Sequence, residues 1–365
     1  MISDLVTDQR VNRSAMALQE EGWEVLLIGR RLPDSQEMDV RPYSTKRFRL
    51  WFHKGPLFYL NYNIRLFIFL LSNRFDVAFS NDLDTLPANF IASRLKNAQL
   101  VYDSHEYFIG VPELAHRKLV RGIWKSLEKF FLPSVKYLFT VNNSIAELYR
   151  KDYNINFKVM RNVPLLPKME VISKAEGRKK YGLPENQFIY ILQGSGINIQ
   201  RGAEEAVEAM QYLEHSLLLI LGGGDVLDLL KEKVKQLNLK DKVIFKPRMS
   251  YREMMQHTQC ADVGLTLDKD TNINYRYSLP NKIFDYIHAG IPVLASDLPE
   301  IRKIVEEYNI GLITDTHDPK LLADVMKKLN DPVLVEKWKT NLPAAAKELN
   351  WEKEKTILIE TFRKI

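Results

Sequence analysis

The chain is poor in the features that mark secreted and membrane-spanning proteins. Its 365 residues include one cysteine, Cys260, which excludes an internal disulfide and is typical of a reducing compartment. The longest unbroken apolar run, Leu66–Leu71, is far shorter than the ~20 residues that cross a bilayer. Asp4 and Asp8 interrupt the apolar start, so no signal peptide is expected. The sequence therefore predicts a cytoplasmic protein, either soluble or peripheral on the inner face of the plasma membrane.

Two kinds of cofactor signature are also missing. No Gly-x-Gly-x-x-Gly opens the first helix of either half, which argues against a dinucleotide site. No cysteine–histidine pattern indicates a metal site. Asp82-Leu83-Asp84 has the spacing of an acidic metal–diphosphate motif, but Asp84 begins a predicted helix and is interpreted as its N-cap. We expect neither a metal nor an organic cofactor.

Positive charge is concentrated in the first half. The net charge is +6, and residues 1–170 hold 24 basic and 18 acidic residues. The rest of the chain has equal numbers of basic and acidic residues and so no net charge. Basic and aromatic residues that alternate in this way can bind an anionic membrane surface. Nucleic acid binding lacks a recognised motif, and an ordinary solvated face remains an alternative. The densest patch comprises Arg41, Tyr43, Lys46, Arg47, Phe48, Arg49, Trp51, Phe52 and Lys54.

Both halves alternate short apolar runs with helical patterns, which predicts parallel strands joined by right-handed crossovers. The expected fold class is α/β, with two Rossmann-like doubly wound domains facing across a cleft. The predicted domains are residues 1–163 and 171–345, and a C-terminal helix over 346–365 packs back toward a hinge at Asn162–Pro167. The chain offers only Met1-Ile2-Ser3 where a doubly wound domain normally begins with a full strand. We therefore expect a truncated first strand and a first domain less stable than the second.

The most informative stretch is Ser278–Glu300, read as a helix, a short apolar strand and an acidic turn. Pro280 sets the helix start, which leaves free N–H groups beside Lys282, and such a helix start is suited to a diphosphate. One turn later Asp285 is placed to accept hydrogen bonds from a ribose. The stretch thus indicates a nucleotide-sugar site, although an ordinary αβ unit with one surface carboxylate would show the same pattern.

Glycine-rich turns in the second half support that interpretation. Gln193–Gly196 follows a predicted strand, and Arg201 then precedes a helix and can grip a diphosphate with two N–H groups. Leu221–Asp225 is a second such turn, either beneath a nucleoside or simply a tight βα connection. Pro247–Met249 ends a strand at a place suited to the nucleobase.

In the first half, polar residues follow predicted strands at the carboxyl edge of the sheet. His105 and Glu106 come directly after one strand, and Asp82 follows the preceding strand. A histidine bracketed by carboxylates at such an edge is a candidate functional group, although a lone histidine is more often structural.

These motifs, in this order, resemble family-4 retaining glycosyltransferases of the two-domain GT-B fold, chiefly bacterial members acting in capsule, lipopolysaccharide or exopolysaccharide assembly. The resemblance rests on Thr7–Arg13, Tyr102–Glu106, Asn198–Gly202 and Ser278–Glu300. It implies a cleft site that takes a nucleotide-sugar donor, a glycan or lipid-linked acceptor, and no nucleic acid. The implied catalytic residues are His105, Arg201 and Lys282; the donor-binding residues are Gly194, Ser195, Gly196, Arg201, Gly223, Arg248, Met249, Asn281, Lys282 and Asp285; the acceptor-side candidates are Asp8, Arg10, Asp82 and Glu106.

The chain departs from that family at two places. Asp285 stands where the family usually has a glutamate, and Tyr275–Ser278 replaces a segment that often supplies a sugar-holding glutamate. By the resemblance, the leaving phosphate itself deprotonates the acceptor, and His105 orients the sugar. The alternatives are a catalytically silent nucleotide-sugar-binding partner of a polysaccharide complex, a nucleotide-sugar epimerase and, less well supported, a dinucleotide oxidoreductase.

Overall fold

A computed structural model describes residues 1–6, 8–33, 35, 37–165 and 172–365 of the chain. It divides the chain into two compact units. Unit 1 comprises Met1–Asn162 with Glu352–Ile365, and unit 2 comprises Val163–Trp351. Leu166 and Pro167 of the predicted hinge lie outside the described residues, as does Thr7 of the first motif.

Unit 2 is built on one six-stranded parallel sheet, in the order β12-β11-β10-β7-β8-β9. Its strands are β7 (Phe188–Gly194), β8 (Ser216–Gly222), β9 (Val243–Lys246), β10 (Val263–Thr266), β11 (Val293–Ser296) and β12 (Gly311–Thr314). Its helices are α6 (Lys174–Tyr181), α7 (Ala203–Ala209), α8 (Leu227–Gln236), α9 (Tyr251–Gln259), α10 (Ile273–Arg276), α11 (Asn281–Ala289), α12 (Pro299–Tyr308), α13 (Pro319–Lys328) and α14 (Pro332–Glu348).

Hydrophobic layers cover both faces of this sheet, which is why its strands are nearly continuous apolar runs. Every residue of β8 is buried, because β7 and β9 flank it and helices cover it on both sides. Successive β8 residues, such as Leu218 and Leu219, belong to opposite layers. The reversal of strand order beside β7 places the ends of β7 and β10 next to each other at the carboxyl edge, where open α/β sheets usually bind ligands.

Unit 1 contains two parallel sheets, a pair β1-β2 and a four-stranded sheet in the order β3-β4-β5-β6. Its strands are β1 (Leu26–Arg31), β2 (Ser44–Arg49), β3 (Val77–Asn81), β4 (Gln99–Ser104), β5 (Tyr137–Thr140) and β6 (Lys158–Val159). Its helices are α1 (Gln9–Glu20), α2 (Gly55–Ser72), α3 (Leu86–Lys96), α4 (Lys118–Phe131), α5 (Asn143–Tyr153) and the C-terminal α15 (Trp351–Phe362), whose residues from Glu352 onward belong to this unit.

The first residues of unit 1 lie beside β1 without forming a full strand. The Met1 ammonium donates to the Ile28 carbonyl at 3.0 Å, and the Arg30 N–H donates to the Ser3 carbonyl at 3.2 Å. A single bridge, Asp4 with Arg30, completes this pairing. A cavity of about 470 Å³ is lined by residues of β1 and β3 together. The strands on either side of this cavity belong to separate sheets.

The C-terminal helix α15 packs on unit 1. The Trp23 and Phe362 rings meet edge to face at 5.3 Å, and the Arg161 guanidinium donates to the buried Glu354 carboxylate at 2.6 Å. Glu354 also accepts the Arg161 backbone N–H at 2.7 Å. These contacts tie the end of the chain to its first unit.

Burial limits one local interpretation from the sequence and contradicts another. The basic–aromatic patch is partly buried, because Tyr43 and Phe48 are buried and Arg41 donates to the Leu5 carbonyl. Its other members include the exposed Lys46, Arg49, Trp51, Phe52 and Lys54, and the binding of the patch to a membrane stays a prediction. Asp84 does not cap a helix; α3 has Thr85 as its N-cap residue, and the buried Asp84 carboxyl makes no capping bond. The helix-start signal at Asp84 was interpreted without regard to burial.

No helix in the described part of the chain is both long and apolar enough to span a bilayer.

Candidate functional site

Unit 2 gathers two cations around one buried carboxylate, Asp268. This residue follows β10 and is fully buried. Arg201 donates to Asp268 Oδ1 at 2.7 Å, and Lys282 Nζ lies 3.5 Å from Oδ2. Burial by itself would raise the pKa of Asp268, but Lys282 and Arg201 hold it below its ordinary value, so the carboxylate is ionised. Two cations sharing one anion leave a net positive charge at this point.

Arg201 is positioned by the turn at Gly202 and by the Tyr275 ring, in addition to Asp268. Gly202 has φ +74°, and a Cβ there would collide with the Leu267 carbonyl, so glycine lets this turn approach the residue before Asp268. The Arg201 guanidinium also lies 4.3 Å from the centre of the Tyr275 ring. Its Nε is buried and has no hydrogen-bond partner among the described residues. The guanidinium is thus fixed in place with a donor still unused.

Lys282 reaches the same carboxylate from the first turn of α11. Pro280 is the N-cap residue of α11 and Gly290 ends the helix at φ +73°, as the sequence predicts. The Asn281 side chain is exposed, and Lys282 is mostly buried with its ammonium directed to Asp268. The free N–H groups of this first helical turn and two cations from separate elements together form a site suited to a diphosphate.

The glycine-rich turns after β7 and β8 pack against each other. Gly223 donates its N–H to the Gly194 carbonyl at 3.1 Å, and Ile197 donates to the Gly223 carbonyl at 2.8 Å. Arg248 donates to the Ser195 carbonyl at 2.6 Å and passes so close to Gly223 that a Cβ there would meet its guanidinium. The predicted donor residues Gly194, Ser195, Gly223 and Arg248 therefore lie in one cluster, with Gly196 exposed beside them and Met249 half-buried after Arg248.

Asp285 is more enclosed than the sequence indicates. It is 6% exposed, with Oδ1 accepting from the Tyr251 hydroxyl at 2.7 Å and Oδ2 accepting from the Gln193 amide at 3.1 Å. Thr258 in turn donates to the Gln193 side-chain oxygen at 2.6 Å. The contact of Asp285 with a ribose stays a prediction, and the ribose would have to share the Asp285 carboxylate with Tyr251 and Gln193.

Unit 1 contains a second charged cluster, based on the ion pair of Arg10 with Asp103. Two guanidinium nitrogens of Arg10 donate to the two oxygens of Asp103 at 2.9 and 2.7 Å, and the third donates to the Met160 carbonyl at 2.8 Å. Arg10 is 3% exposed, and its predicted place on the acceptor side stays a prediction. Burial alone would raise the pKa of Asp103, but Arg10 and His105 hold it far below its ordinary value.

His105 lies between two carboxylates. Its Nδ1 is 3.3 Å from Asp82 Oδ2 and its Nε2 is 3.5 Å from Asp103 Oδ2, and its backbone N–H donates to Asp82 Oδ1 at 2.9 Å. Burial alone would lower the pKa of His105, but Asp82 and Asp103 together raise it to about 9. The imidazole is therefore a cation at neutral pH, with a fifth of its side chain exposed.

The other predicted residues of unit 1 have mixed surroundings. Asp82 has φ +60°, a left-handed conformation that non-glycine residues seldom adopt and that often marks functional sites. Asp8 caps α1 by accepting the Val11 N–H at 3.1 Å, which is a structural role. Glu106 is exposed. Burial and nearby Asp82 raise the pKa of Asp84 to about 8, so this buried carboxyl is largely protonated at neutral pH.

Reasoning from sequence missed three residues that organise these clusters, namely Asp103, Asp268 and Tyr275. Asp103 and Asp268 each lie at or just beyond the end of a buried strand, which was the signal available for both. Tyr275 comes from the segment where a glutamate was expected. Among the described residues no group of three or more histidine, cysteine, aspartate or glutamate side chains could hold a metal ion.

Comparison with known proteins agrees with this architecture. Residues 9–164 match the family model described as Glycosyltransferase Family 4, and residues 173–344 match the model described as Glycosyl transferases group 1. The chain belongs to the family-4 glycosyltransferases. Its solved structural neighbours have the GT-B fold: the sucrose-phosphate synthase of Thermosynechococcus elongatus has a TM-score of 0.79 at 19% identity, over 97% of this chain and 92% of the other. Anabaena HepE, crystallised with UDP and glucose, has a TM-score of 0.76 at 15% identity, over 100% and 98%.

Curated relatives match at somewhat higher sequence identity but over shorter stretches of the chain. A chitobiosyldiphosphodolichol beta-mannosyltransferase of Debaryomyces hansenii is 24% identical over 60% of this chain. A GDP-mannose-dependent alpha-(1-6)-phosphatidylinositol monomannoside mannosyltransferase of Mycobacterium tuberculosis is 25% identical over 43% of this chain and 42% of its own length. The chain spans about half the length of the first of these relatives, 51%.

Proposed function

We propose that this protein transfers a sugar from a nucleotide-sugar donor to a glycan or lipid-linked acceptor. The observation that carries the proposal is the convergence of Arg201 and Lys282 on Asp268 at the first turn of α11. A donor diphosphate placed there would meet two cations and free helix N–H groups. Family membership supports the same activity, because sugar transfer is the reaction for which the family is named.

The chemistry we propose needs no metal. When the bond between C1 of the sugar and the diphosphate oxygen breaks, its electron pair stays on the leaving phosphate. Arg201, Lys282 and the N–H groups of α11 would stabilise that charge. The acceptor oxygen forms the new bond to C1, and its proton passes to the departing phosphate oxygen. Asp285 is proposed to contact the ribose, and Arg248 with Met249 to adjoin the base.

We propose that His105 contacts the donor sugar as a cation. Since Asp82 and Asp103 raise its pKa to about 9, the imidazole is already protonated and cannot take the acceptor proton at neutral pH. This charge state favours an electrostatic and orienting role over that of a general base, and it accords with a retaining reaction. The names of the two relatives include both a beta and an alpha linkage, so the product anomer needs direct measurement.

We propose GDP-mannose as the first donor to test, and bacterial surface polysaccharide assembly at the cytoplasmic side of the membrane as the setting. Both relatives are named as mannosyltransferases, and one as GDP-mannose-dependent. Their names also include a lipid, dolichol in one and phosphatidylinositol in the other, which supports a lipid-linked acceptor.

The first experiment is a thermal-shift titration with GDP-mannose, GDP, UDP-glucose and UDP. A nucleotide at 100 times its dissociation constant adds about 2.7 kcal/mol to the free energy of unfolding, which raises the melting temperature measurably. With the donor identified, Arg201→Ala should lower kcat by ~10²–10³, as expected for losing one transition-state donor. The control is Arg252→Ala, which removes an exposed arginine of α9.

Three outcomes would contradict the proposal. If no nucleotide raises the melting temperature, the proposed donor site is wrong. If Arg201→Ala turns over as fast as the unaltered chain, the proposed role of Arg201 is wrong. Interconversion of the donor without acceptor would indicate an epimerase instead. NMR of the anomeric proton of the product decides between retention and inversion, and unchanged turnover with a chelator is expected if no metal takes part.

A further inference from the structure

Helix α2 carries an exposed apolar stripe along its whole length. Its members recur every three or four residues and so lie on one helical face. Each of these side chains is at least 40% exposed. The stripe comprises Leu57, Leu60, Ile64, Ile68 and Leu71. The opposite face of α2 packs into the core through Phe58, Tyr62, Leu66 and Leu70. Burial of the opposite face explains why the helix forms, but it leaves this stripe unexplained.

Helix α4 presents a second exposed apolar surface. Leu119 is 78% exposed and Phe130 is 70% exposed, with Ile123 between them. The helix is anchored from its other side. Its Trp124 ring meets the Tyr59 ring of α2 at 5.1 Å, and its Phe131 ring meets the Phe90 ring of α3 at 5.0 Å. The first turns of α2 and the middle of α4 are therefore in contact, and the two apolar surfaces belong to neighbouring helices.

The charges on these helices are almost all of one sign. Helix α2, helix α3 and helix α4 hold a single acidic residue, Glu128, which is buried and accepts from the Tyr153 hydroxyl. Seven basic residues accompany it, namely Arg65, Arg94, Lys96, Lys118, Arg121, Lys125 and Lys129. The exposed surface of this helical layer thus combines large apolar side chains with cations and has no exposed carboxylate on the helices themselves.

We infer that the exposed apolar residues of α2 and α4, with the cations of these helices, form a docking surface for an anionic lipid bilayer; we call it the α2–α4 face. Apolar side chains insert at the level of the head groups while cations attract anionic lipid, and stable anchoring usually needs both contributions. Trp51, 77% exposed just before α2 and covered on one side by Arg65 at 4.6 Å, is of the residue type enriched at membrane interfaces.

Charge complementarity favours lipid over a second copy of the chain. Apart from Asp152 of α5, which lies 3.7 Å from Lys125, the exposed charges of this face are cations. In a two-fold dimer the same patch meets itself, so these cations would be brought against each other. An anionic membrane carries the opposite charge, and it is large enough to face all the cations of these helices at once. The inference rests on the proposed function, because a lipid-linked acceptor would be met at such a membrane.

The test is flotation of the full chain with vesicles of phosphatidylcholine alone or with phosphatidylglycerol added. We expect binding only to the anionic vesicles, weakening as salt rises. Ile64→Glu with Ile123→Glu should remove the apolar contribution. Lys118→Glu with Arg121→Glu and Lys129→Glu should remove the electrostatic one. Each set should lower partitioning by at least about tenfold, since basic residues near an anionic surface contribute additively.

Matched controls come from unit 2. Leu229 and Leu321 are 54% and 55% exposed, so Leu229→Glu with Leu321→Glu alters equally exposed leucines. Lys240→Glu with Lys303→Glu and Lys337→Glu makes the same change in net charge at exposed positions. Both control sets should bind vesicles as the unaltered chain does. Equal losses in the controls would show that net charge or added acid, and not the α2–α4 face, governs binding.

Two further results would overturn the inference. One is equal binding of the unaltered chain to neutral and anionic vesicles, or no binding to either. The other is self-association in sedimentation that the α2 and α4 variants abolish, which would assign the face to a second copy. The nucleotide thermal shift is measured on the same proteins. Variants of this face that lose vesicle binding but keep the nucleotide thermal shift would show that the face and the donor site are separate. If the unaltered chain binds vesicles but shows no nucleotide shift, only the proposed donor site is contradicted.

Discussion

At the scale of single residues, each cluster is organised by a buried carboxylate that fixes cations. Asp268 holds Arg201 and Lys282, and Asp103 holds Arg10 while facing His105. A buried ion pair is weak evidence for net stability, because desolvation offsets much of the attraction. The useful consequence is positional: the guanidinium and ammonium groups are fixed before any ligand arrives, which lowers the cost of ordering them on binding.

The charge of His105 leads to a prediction about stability and pH. Its pKa is raised from 6.5 to about 9, so the folded state binds this proton more tightly than the unfolded chain. The resulting stabilisation is complete below pH 6.5 and is lost as the pH rises through 9. It amounts to at most about 3.5 kcal/mol, since one pKa unit corresponds to about 1.4 kcal/mol. Asp84 acts in the same direction, because its pKa is raised to about 8.

The measurement is urea unfolding at pH 6, 7.5 and 9. The free energy of unfolding of unit 1 should fall across this range, and the fall should be smaller in His105→Gln. His116→Gln, which alters an exposed histidine of the same unit, should leave the pH profile as it is in the unaltered chain. A profile in which His105→Gln follows the unaltered chain at every pH would show that His105 is not protonated preferentially in the folded state.

At the scale of elements, the turn before α7 depends on close backbone approach as well as on backbone conformation. Gly202 has φ +74° and Gly182 has φ +65°, but only Gly202 lies where a Cβ would collide with other backbone, that of Leu267. Gly182→Ala should therefore cost only the left-handed conformation, roughly 1 kcal/mol. Gly202→Ala should cost clearly more and should also weaken nucleotide binding, because Leu267 adjoins Asp268.

Chemical denaturation and nucleotide titration of the two variants measure both effects. Gly182→Ala is the control for the conformational cost, since nothing lies within 4 Å of the added methyl group. Equal losses of stability in the two variants, with nucleotide affinity unchanged in both, would contradict the idea that Gly202 positions Arg201 against Asp268.

Sequence patterns predicted most elements of unit 2 because its strands are nearly continuous apolar runs, and two of them, β7 and β8, end at glycine. Helix α11 was predicted from Asn281 to Ala289, as found, since Pro280 and Gly290 mark its two ends. Strand β2 was missed because it is rich in basic residues and only Phe48 and the preceding Tyr43 are buried among them. The buried position of Arg10 was not predicted, because nothing in its neighbourhood along the chain indicates Asp103, 93 residues away, as its partner.

At the scale of the whole molecule, the two units differ in how completely their sheets are paired. In unit 2 a single sheet of six strands is covered on both faces. In unit 1 β1 has β2 on one side and only the short Met1–Asp4 segment on the other, and a cavity of about 470 Å³ adjoins β1 and β3. Missing packing partners and unpaired strand edges both lower local stability.

Native-state hydrogen exchange should reveal this difference along the chain. Amides of β1 and β3 should open with free energies lower than those of β8 by on the order of 2 kcal/mol, because opening an incompletely paired strand breaks fewer contacts. Strand β4 provides the comparison inside unit 1, since β3 and β5 flank it on both sides and it should be better protected than β1. If β1 were as protected as β4 and β8, the Met1–Asp4 segment would be sufficient to complete the pairing.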